Sequence, residues 1–197
     1  MKKLLVASAN QGKVREIQAL LQDFQINLLT PEDLGLLVYV TGDGLSYADN
    51  AAKKAIIFAR ASGMLTLSDD SGLEVEDLGG APGIFSARYA PQLGATDSDR
   101  RVYLLHQLSP YPRPWAARFH CTVALASPDG AVHFSEGVCQ GEIIPQERGM
   151  NGFGYDPIFL IPELGRTMAE LNMEEKNRLS HRAQAVLAIQ PLLLSLL

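Results

Sequence analysis

The sequence is poor in the residues that build disulfide frameworks and zinc sites. Only two of its 197 residues are cysteines, Cys121 and Cys139, and neither lies in a Cys-x-x-Cys or Cys/His ligand spacing. We therefore expect no disulfide framework and no structural zinc. Both cysteines fall in segments that alternate like strands, and we interpret them as small buried hydrophobic side chains.

Long hydrophobic runs are also missing. The start of the chain has the basic flank and the Ala-x-Ala end of a signal peptide, but its apolar run, residues 4–7, is too short, since a secretory run needs about 7–15 residues. No stretch reaches the roughly 18 continuous apolar residues of a membrane span. We therefore expect no membrane segment and a cytoplasmic protein.

An excess of positive charge is absent as well. The 17 Lys and Arg residues are outnumbered by 22 Asp and Glu residues, which gives a net charge of −5 at pH 7. A sequence-independent nucleic-acid binder needs a basic face, so this class is excluded, whereas a small phosphorylated ligand is not. With 47% hydrophobic residues the chain can bury a core, and its length predicts one domain over residues 1–197.

The hydrophobic pattern predicts strands and helices in alternation. Apolar residues 4–7 and 26–29 indicate strands, and the spacing of apolar residues 14, 17, 21 and 24 indicates a helix between them. A second helix should begin after Ser46 and end at Gly63. The run 65–67 then indicates a short strand that delivers Ser68–Gly72 into a loop.

The second half of the chain adds a hairpin to this pattern. Thr96 should cap a helix that ends at Leu108, and the alternating segments 117–125 and 132–134 flank an Asp129-Gly130 turn. A short strand over 158–161 and a final helix after Ser180 follow, and Pro191 should kink or end that helix. Crossovers together with a hairpin predict an α/β fold around a mixed sheet.

Two segments have the composition of a phosphate and metal site. Ser8, Ala9, Asn10, Gln11, Gly12 and Lys13 form a strand-to-helix turn, where backbone N–H groups and the lysine could hold a phosphate. Asp69 and Asp70 are adjacent carboxylates suited to Mg²⁺ or to general-base chemistry. Taken alone, the first segment could be a simple turn and the second a pair of solvated aspartates.

Two further segments could contact a base. Gly152–Pro157 combines glycines, aromatic rings and an aspartate, which permit close approach, stacking and hydrogen bonding. Residues 175–182 concentrate donors near a predicted helix start, where cations oppose the helix dipole and a ligand anion or carbonyl would compensate them. A core turn and a solvated polar turn are the alternatives.

Together the motifs resemble the inosine triphosphate pyrophosphatases, also called XTP/dITP diphosphatases. The matching stretches span nearly the whole chain, in the family's order: ASANQGKVREI, NAAKKA, SDDSGLEV, LGGAPGIFSARY, ARFHC, GFGYDPIF, AEL and EKNRLSHRAQA. The resemblance implies hydrolysis of ITP, dITP or XTP to the monophosphate and pyrophosphate, with Mg²⁺ as cofactor. It also implies a homodimer and an elongated, two-lobed α/β fold around a central mixed sheet, with the active site in the cleft between the lobes.

The resemblance assigns roles to individual residues. Residues 8–13 and Lys54 would hold the triphosphate, Asp70 would be metal ligand and proton acceptor with Asp69 beside it, and Ser71 would contact the substrate. The base pocket would consist of Phe153, Gly154, Tyr155, Asp156, Lys176, His181 and Arg182.

One departure from the family pattern concerns the metal. The family carries a glutamate shortly before the NAAKKA helix, whereas residues 38–45 of this chain contain none. The nearest carboxylate is Asp43, and we hypothesise that it replaces the glutamate. Two alternatives stay open: a septum-inhibition (Maf) type pyrophosphatase, against which GFGYDPIF and SHRA speak, and a nucleotide-binding regulator that has lost its metal.

Overall fold

The computed structural model describes residues 2–197, which form a mixed α/β fold. The strands are β1 (Lys2–Val6), β2 (Ile26–Leu29), β3 (Thr66–Val75), β4 (Trp115–Ala126), β5 (Val132–Ile143), β6 (Phe159–Ile161) and β7 (Arg166–Thr167). The helices are α1 (Gln11–Leu21), α2 (Tyr47–Ser62), α3 (Asp97–Leu108), α4 (Met173–Leu179) and α5 (His181–Leu196). Within these described residues the seven strands form one sheet in the order β2-β1-β3-β4-β5-β6-β7.

The sheet contains both parallel and antiparallel pairs, as predicted. β1 is parallel to β2 and to β3, and β6 is antiparallel to β5 and to β7. α1 and α2 connect the parallel strands, which need such crossovers. β4 and β5 are neighbours joined by residues 127–131, where the N–H of Gly130 donates to the Ser127 carbonyl over 3.0 Å. The predicted α/β class and the predicted hairpin are therefore confirmed.

The described residues group into two compact units. The first unit comprises the residues up to Asp70, Cys121–Gly137 and His181–Leu197, and the second comprises Ser71–His120 and Val138–Ser180. The prediction of a single domain over residues 1–197 stays a prediction beside this division.

In the first unit, helices pack against the strands that carry the predicted phosphate site. Val14 and Ile17 of α1 share a core with Val186 and Ile189 of α5. The buried residues of a separate cluster are all alanines of α2 and β4, namely Ala51, Ala55, Ala59, Ala124 and Ala126. Because alanine side chains are small, α2 lies close to the sheet, which places its polar residues within reach of β3.

The second unit has its own core beneath the predicted base pocket. The rings of Phe119 and Phe159 lie 4.3 Å apart in this core, and Leu104 and Leu108 of α3 pack into it. α3 begins where predicted: the Thr96 side chain accepts from the Asp99 N–H while Asp99 accepts from the Thr96 N–H. This capping box satisfies donors that a helix start leaves open.

One prediction of local structure is wrong, and one of the two outcomes predicted at Pro191 is excluded, while the predicted kink there stays a prediction. Ser68–Gly72 lies inside β3 and not in a loop, because buried residues on either side, Leu67 and Leu73, keep the chain in the sheet. Pro191 lies inside α5, so it does not end that helix. Here the fully buried Leu193 continues the apolar face beyond the proline. None of the helices in residues 2–197 combines the length and hydrophobicity that crossing a membrane requires.

Candidate active site

The turn between β1 and α1 is organised by Asn10. Its Oδ1 accepts from the N–H groups of Gly12 over 2.8 Å and Lys13 over 3.1 Å, and its own N–H donates to Ser8 Oγ. Ala9, Asn10 and Gln11 are exposed. Two of the amides that the sequence offered to a phosphate are therefore held by the cap, and the Lys13 side chain is the charged group that this turn contributes.

Asp69 is a buried carboxylate surrounded by cations of the first unit. It is 1% exposed, and its Oδ2 lies 3.0 Å from Lys13 Nζ and 3.1 Å from Arg182 Nε. Burial acts to raise the pKa of Asp69, but the charges of Lys13, Arg182 and Lys54 outweigh it and hold the pKa well below its ordinary value. Asp69 is therefore ionised, and its charge is already compensated.

Arg182 stands at the start of α5 and is 1% exposed. Its Nη1 bonds to Oε2 of Glu16, a residue of α1 that is 3% exposed. Asp69 and Glu16 together raise the pKa of Arg182 although burial acts to lower it. Two carboxylates of the chain thus compensate this cation, where the sequence analysis expected a ligand to do so. Glu16 was missed, although an acidic residue beside the buried face of an amphipathic helix was a signal.

The Asp70 carboxylate is held on both oxygens by α2. Asn50 Nδ2 donates to Oδ2 over 3.1 Å, and Lys54 Nζ lies 3.3 Å from Oδ1. Asn50 and Lys54 are four residues apart and therefore lie on the same helix face. Lys54 Nζ also donates to the Asp69 carbonyl over 2.7 Å. Each carboxylate oxygen of Asp70 keeps a further lone pair, and the side chain is 19% exposed.

The orientation of Asn50 is set by the loop before α2. Its Oδ1 accepts from the Gly44 N–H over 2.8 Å, so Nδ2 faces Asp70. A Cβ at Gly44 would lie 2.8 Å from that same Oδ1, which explains the glycine. By sequence, Asn50 is only the first residue of the NAAKKA motif, with no role of its own.

Burial shifts the pKa values of Lys54 and Cys121. Desolvation and the nearby charge of Lys13 lower the pKa of Lys54, although Asp70 and Asp69 act against them. The Cys121 thiol donates to Asp69 Oδ2 over 3.9 Å, and burial together with that carboxylate raises its pKa. Cys121 is 0% exposed, consistent with a neutral, buried thiol.

Asp43 lies apart from the other predicted metal ligands. Its side chain is 64% exposed, and its carboxylate bonds to Lys53 Nζ and to Thr41 Oγ1. Among residues 2–197, no group of three or more His, Cys, Asp or Glu side chains is arranged to hold a metal ion. The structure therefore does not bring Asp43 together with Asp69 and Asp70.

In the second unit, a buried ion pair underlies the predicted base pocket. Lys176 of α4 and Asp156 are each 4% exposed, and Lys176 Nζ lies 2.6 Å from Asp156 Oδ2. The same oxygen accepts from the Phe153 N–H over 2.9 Å. Lys176 Nζ also lies 5.3 Å from the centre of the half-buried Phe153 ring. An aromatic face, a cation and a carboxylate are thus held together.

Glycines shape the loop that carries Phe153. Gly152 has φ +75°, and a Cβ there would overlap Asp156 Oδ2 and lie 3.1 Å from Lys176 Nζ. Gly154 has φ +62° with open space around its Cβ position. The Tyr155 ring is buried, its hydroxyl donates to the Ser86 carbonyl over 2.9 Å, and burial raises its pKa. Tyr155 therefore anchors the loop from below.

The remaining predicted site residues are Ser71 and His181. Ser71 is half-buried in β3 and directly follows Asp70. His181 is the first residue of α5 and is 5% exposed. Their predicted contacts with a substrate stay predictions.

Known proteins resemble the chain over nearly its whole length. The model of the Ham1 family matches residues 4–192. A dITP/XTP pyrophosphatase of Geobacter sulfurreducens is 45% identical, over 94% of each chain. One of Desulforamulus reducens is 44% identical over 93% of this chain and 92% of the relative.

Solved structures agree with these matches. A Ham1 protein from Coxiella burnetii superposes with a TM-score of 0.88 at 39% identity, covering 99% of this chain and 100% of that chain. The Ham1 protein of Staphylococcus aureus gives 0.85 at 36% identity, with all of both chains covered. The resemblance found in the sequence is confirmed.

Proposed function

Since the chain belongs to the Ham1 family, we propose that it hydrolyses non-standard purine nucleoside triphosphates, namely dITP, XTP and ITP, to the monophosphate and pyrophosphate. Relatives named for dITP and XTP support the first two substrates, and ITP carries the same base as dITP. The observation that carries the proposal is the Asp70 carboxylate, which Asn50 and Lys54 hold on both sides while it stays partly exposed.

Asp70 is the proton acceptor in this proposal. A water oxygen bonds to the α-phosphorus while the bond from that phosphorus to the α–β bridging oxygen breaks, so that pyrophosphate leaves with the bridging oxygen and one water proton goes to Asp70. A carboxylate fixed on both oxygens is pre-oriented for this task. Residues 8–13 and Lys54 hold the phosphates, with Lys13 supplying a charge beside Asp69, and Ser71 contacts the substrate.

The charge balance of the first unit favours Mg²⁺ as cofactor. Equal numbers of cations and carboxylates form the cluster, namely Lys13, Lys54, Arg182, Glu16, Asp69 and Asp70. These side chains leave no net positive charge for a triphosphate. Mg²⁺ commonly uses one or two carboxylates together with substrate phosphates, and the remaining lone pairs of Asp70 fit that pattern. When bound, Mg²⁺ would neutralise phosphate charge.

We propose Asp70 as the principal metal ligand, with Asp69 beside it. Asp69 already faces Lys13 and Arg182, so it acts mainly through charge. Asp43 would join the site as the substitute for the family glutamate only after leaving Lys53, to which it is bonded.

The base pocket supports selection for a 6-oxo purine. Phe153 offers a stacking face, and Lys176 lies beside it as a cationic donor. At position 6, hypoxanthine and xanthine present an oxygen that accepts hydrogen bonds, whereas adenine presents an amino group that donates them. A cationic donor therefore favours hypoxanthine and xanthine over adenine. Sites built on hydrogen bonds reject mispaired analogues by roughly 10⁴–10⁵. Gly154, Tyr155 and Asp156 complete the proposed pocket in the second unit, and the base contacts predicted for His181 and Arg182 stay predictions.

We also propose that the protein acts as a homodimer in the cytoplasm on free nucleotides. The acidic net charge of −5 supports action on free nucleotides, because it disfavours nonspecific binding to nucleic acid.

Release of pyrophosphate from a nucleotide panel tests the proposed function. With Mg²⁺ present, dITP, XTP and ITP should be hydrolysed and ATP should not. The Asp70→Asn variant should bind dITP without hydrolysing it, because the amide cannot accept the proton. Binding without turnover by the unaltered protein would instead support the regulator, and an unfolded variant would mean that Asp70 is structural.

A further inference from the structure

The helix α3 binds both backbone polar groups of one glycine in the base-pocket loop. The Gly154 N–H donates to Asp97 Oδ2 over 2.7 Å, and the Gly154 carbonyl accepts from Arg101 Nη1 over 2.8 Å. Asp97 and Arg101 are four residues apart on α3 and share one face. Both backbone polar groups of Gly154 are therefore bound by one turn of helix.

Arg101 is itself held in place. Its Nε and Nη2 form a two-bonded fork on Glu147, at 2.8 and 3.0 Å, and its side chain is only 12% exposed. A bidentate pair fixes the plane of the guanidinium as well as its position. The Nη1 that binds Gly154 is thus aimed by a rigid group.

Gly154 depends on these contacts because it has no side chain to anchor it. No heavy atom lies within 4 Å of the place where its Cβ would stand, and its φ of +62° is one that side-chain-bearing residues rarely adopt. Its neighbour Phe153 carries the aromatic face beside Lys176. A displaced Gly154 would therefore carry Phe153 with it.

We propose that Asp97 and Arg101 are positioning residues that set base recognition by holding the loop of Phe153 in register with Lys176. This inference rests on the proposed function, because it takes Phe153 to stack on the base. By sequence, the residues after Thr96 are only a helix cap, and the structure completes that cap with Thr96 and Asp99. Asp97 binds the loop with Oδ2, while its Oδ1 pairs with Arg100 of the same helix.

The test compares two aspartates of the same helix turn. Asp97→Ala removes the acceptor for Gly154, Asp97→Asn keeps one, and Asp99→Ala removes the cap without touching the loop. We measure kcat and KM for dITP and XTP, and inhibition by inorganic tripolyphosphate, which has phosphates but no base. Asp97→Ala should lower kcat/KM for both nucleotides by about tenfold to a hundredfold, with a raised KM, since a misplacement of about 1 Å costs up to that much. Its tripolyphosphate inhibition should not change.

The outcomes separate positioning from simple destabilisation. Asp97→Asn should recover most of the lost affinity, and Asp99→Ala should lower the melting temperature with KM unchanged. Arg101→Met provides a second variant if Asp97→Ala does not fold, with the same expected rise in KM. An unchanged KM in Asp97→Ala or Arg101→Met, or an equal loss of tripolyphosphate inhibition, overturns the proposal.

Failure of the proposed function gives a different result. If the unaltered protein hydrolyses neither dITP nor XTP, the proposed function is wrong. Amide hydrogen exchange at residues 152–156 then tests, without any substrate, the clamp that Asp97 and Arg101 form on Gly154. Faster exchange in Asp97→Ala than in Asp99→Ala supports the clamp, and equal exchange overturns it.

Discussion

Replacing Gly152 by alanine tests the packing of the base pocket against a matched control. Gly152 and Gly154 both have positive φ, so alanine at either position costs about 1–2 kcal/mol of backbone strain. Only at Gly152 does the new Cβ overlap the Asp156 carboxylate, which pairs with Lys176. The two variants therefore have the same cost in backbone strain, and only Gly152→Ala also disturbs the Asp156–Lys176 ion pair.

The difference between the variants follows from the burial of that pair. Breaking a buried ion pair by removing one partner costs about 3–5 kcal/mol. Gly152→Ala displaces Asp156 without deleting it, so we expect about 3 kcal/mol beyond the Gly154→Ala value. In a chain of 197 residues, 1 kcal/mol shifts the melting temperature by about 2–4 °C. The two variants should therefore differ by about 10 °C.

Thermal unfolding followed by circular dichroism measures this difference, and urea unfolding gives it independently as a free energy. The KM for dITP adds a functional readout, because a displaced Asp156 also releases the Phe153 N–H. Equal melting temperatures for the two variants, or a lower one for Gly154→Ala, would refute the reasoning. The buried pair would then tolerate displacement at little cost.

Three other predictions concern the first unit and the thiols. Asn50→Ala should lower kcat by about tenfold or more through a misplaced Asp70, and steady-state kinetics with an unchanged kcat would contradict it. If Asp43 is a metal ligand, Asp43→Ala should raise the Mg²⁺ concentration needed for half-maximal activity. Lys53→Met should lower that concentration, because it frees Asp43 from its partner. An unchanged Mg²⁺ requirement in Asp43→Ala would make the hypothesis wrong. A thiol reagent at pH 8 should label neither cysteine until guanidinium unfolds the chain, since burial raises the pKa of Cys139 to about 11 and that of Cys121 further; labelling of the folded protein would contradict this.

Local signals were sufficient where the cause of a structure is local. α1 begins beside Asn10 and buries Val14, Ile17 and Leu21, which is the face that their spacing predicted. α3 begins at a capping box that its four letters already contain. Helix caps and the spacing of apolar residues involve only one or two helical turns. A sequence window of that length is therefore enough to predict where a helix begins and which face it buries.

Local sequence signals gave wrong predictions where residues distant in the chain stabilise the observed structure. Asp69 sits inside a strand although aspartate disfavours strands, because Arg182, which is 113 residues away in the chain, neutralises it. The residues next to Asp69 in the sequence do not predict Arg182 as its partner. The loop predicted for Ser68–Gly72 is wrong for two reasons: buried residues flank the segment, and distant cations compensate the charge of Asp69.

The candidate site was predictable in its residue types but not in its supports. Motif resemblance named Asp70, Phe153 and Lys176, whereas the groups that orient them were passed over. Asn50 was read as part of a motif and Asp97 as part of a cap. A supporting residue contacts other protein groups, so its role exists only once the fold has brought those groups within hydrogen-bond distance.

The supports in the two units share one geometric principle. On α2, Asn50 and Lys54 bind the two oxygens of Asp70, and on α3, Asp97 and its partner four residues later bind the two backbone groups of Gly154. Residues four apart on a helix project from adjacent turns, with Cβ atoms about 5–6 Å apart. That spacing lets two side chains approach one small group from two sides. Because helices are more rigid than loops, groups held this way keep their geometry when a ligand binds. A search for polar residues four apart in helices that precede a catalytic motif therefore selects candidate supports from sequence, and the fold decides which of them are used.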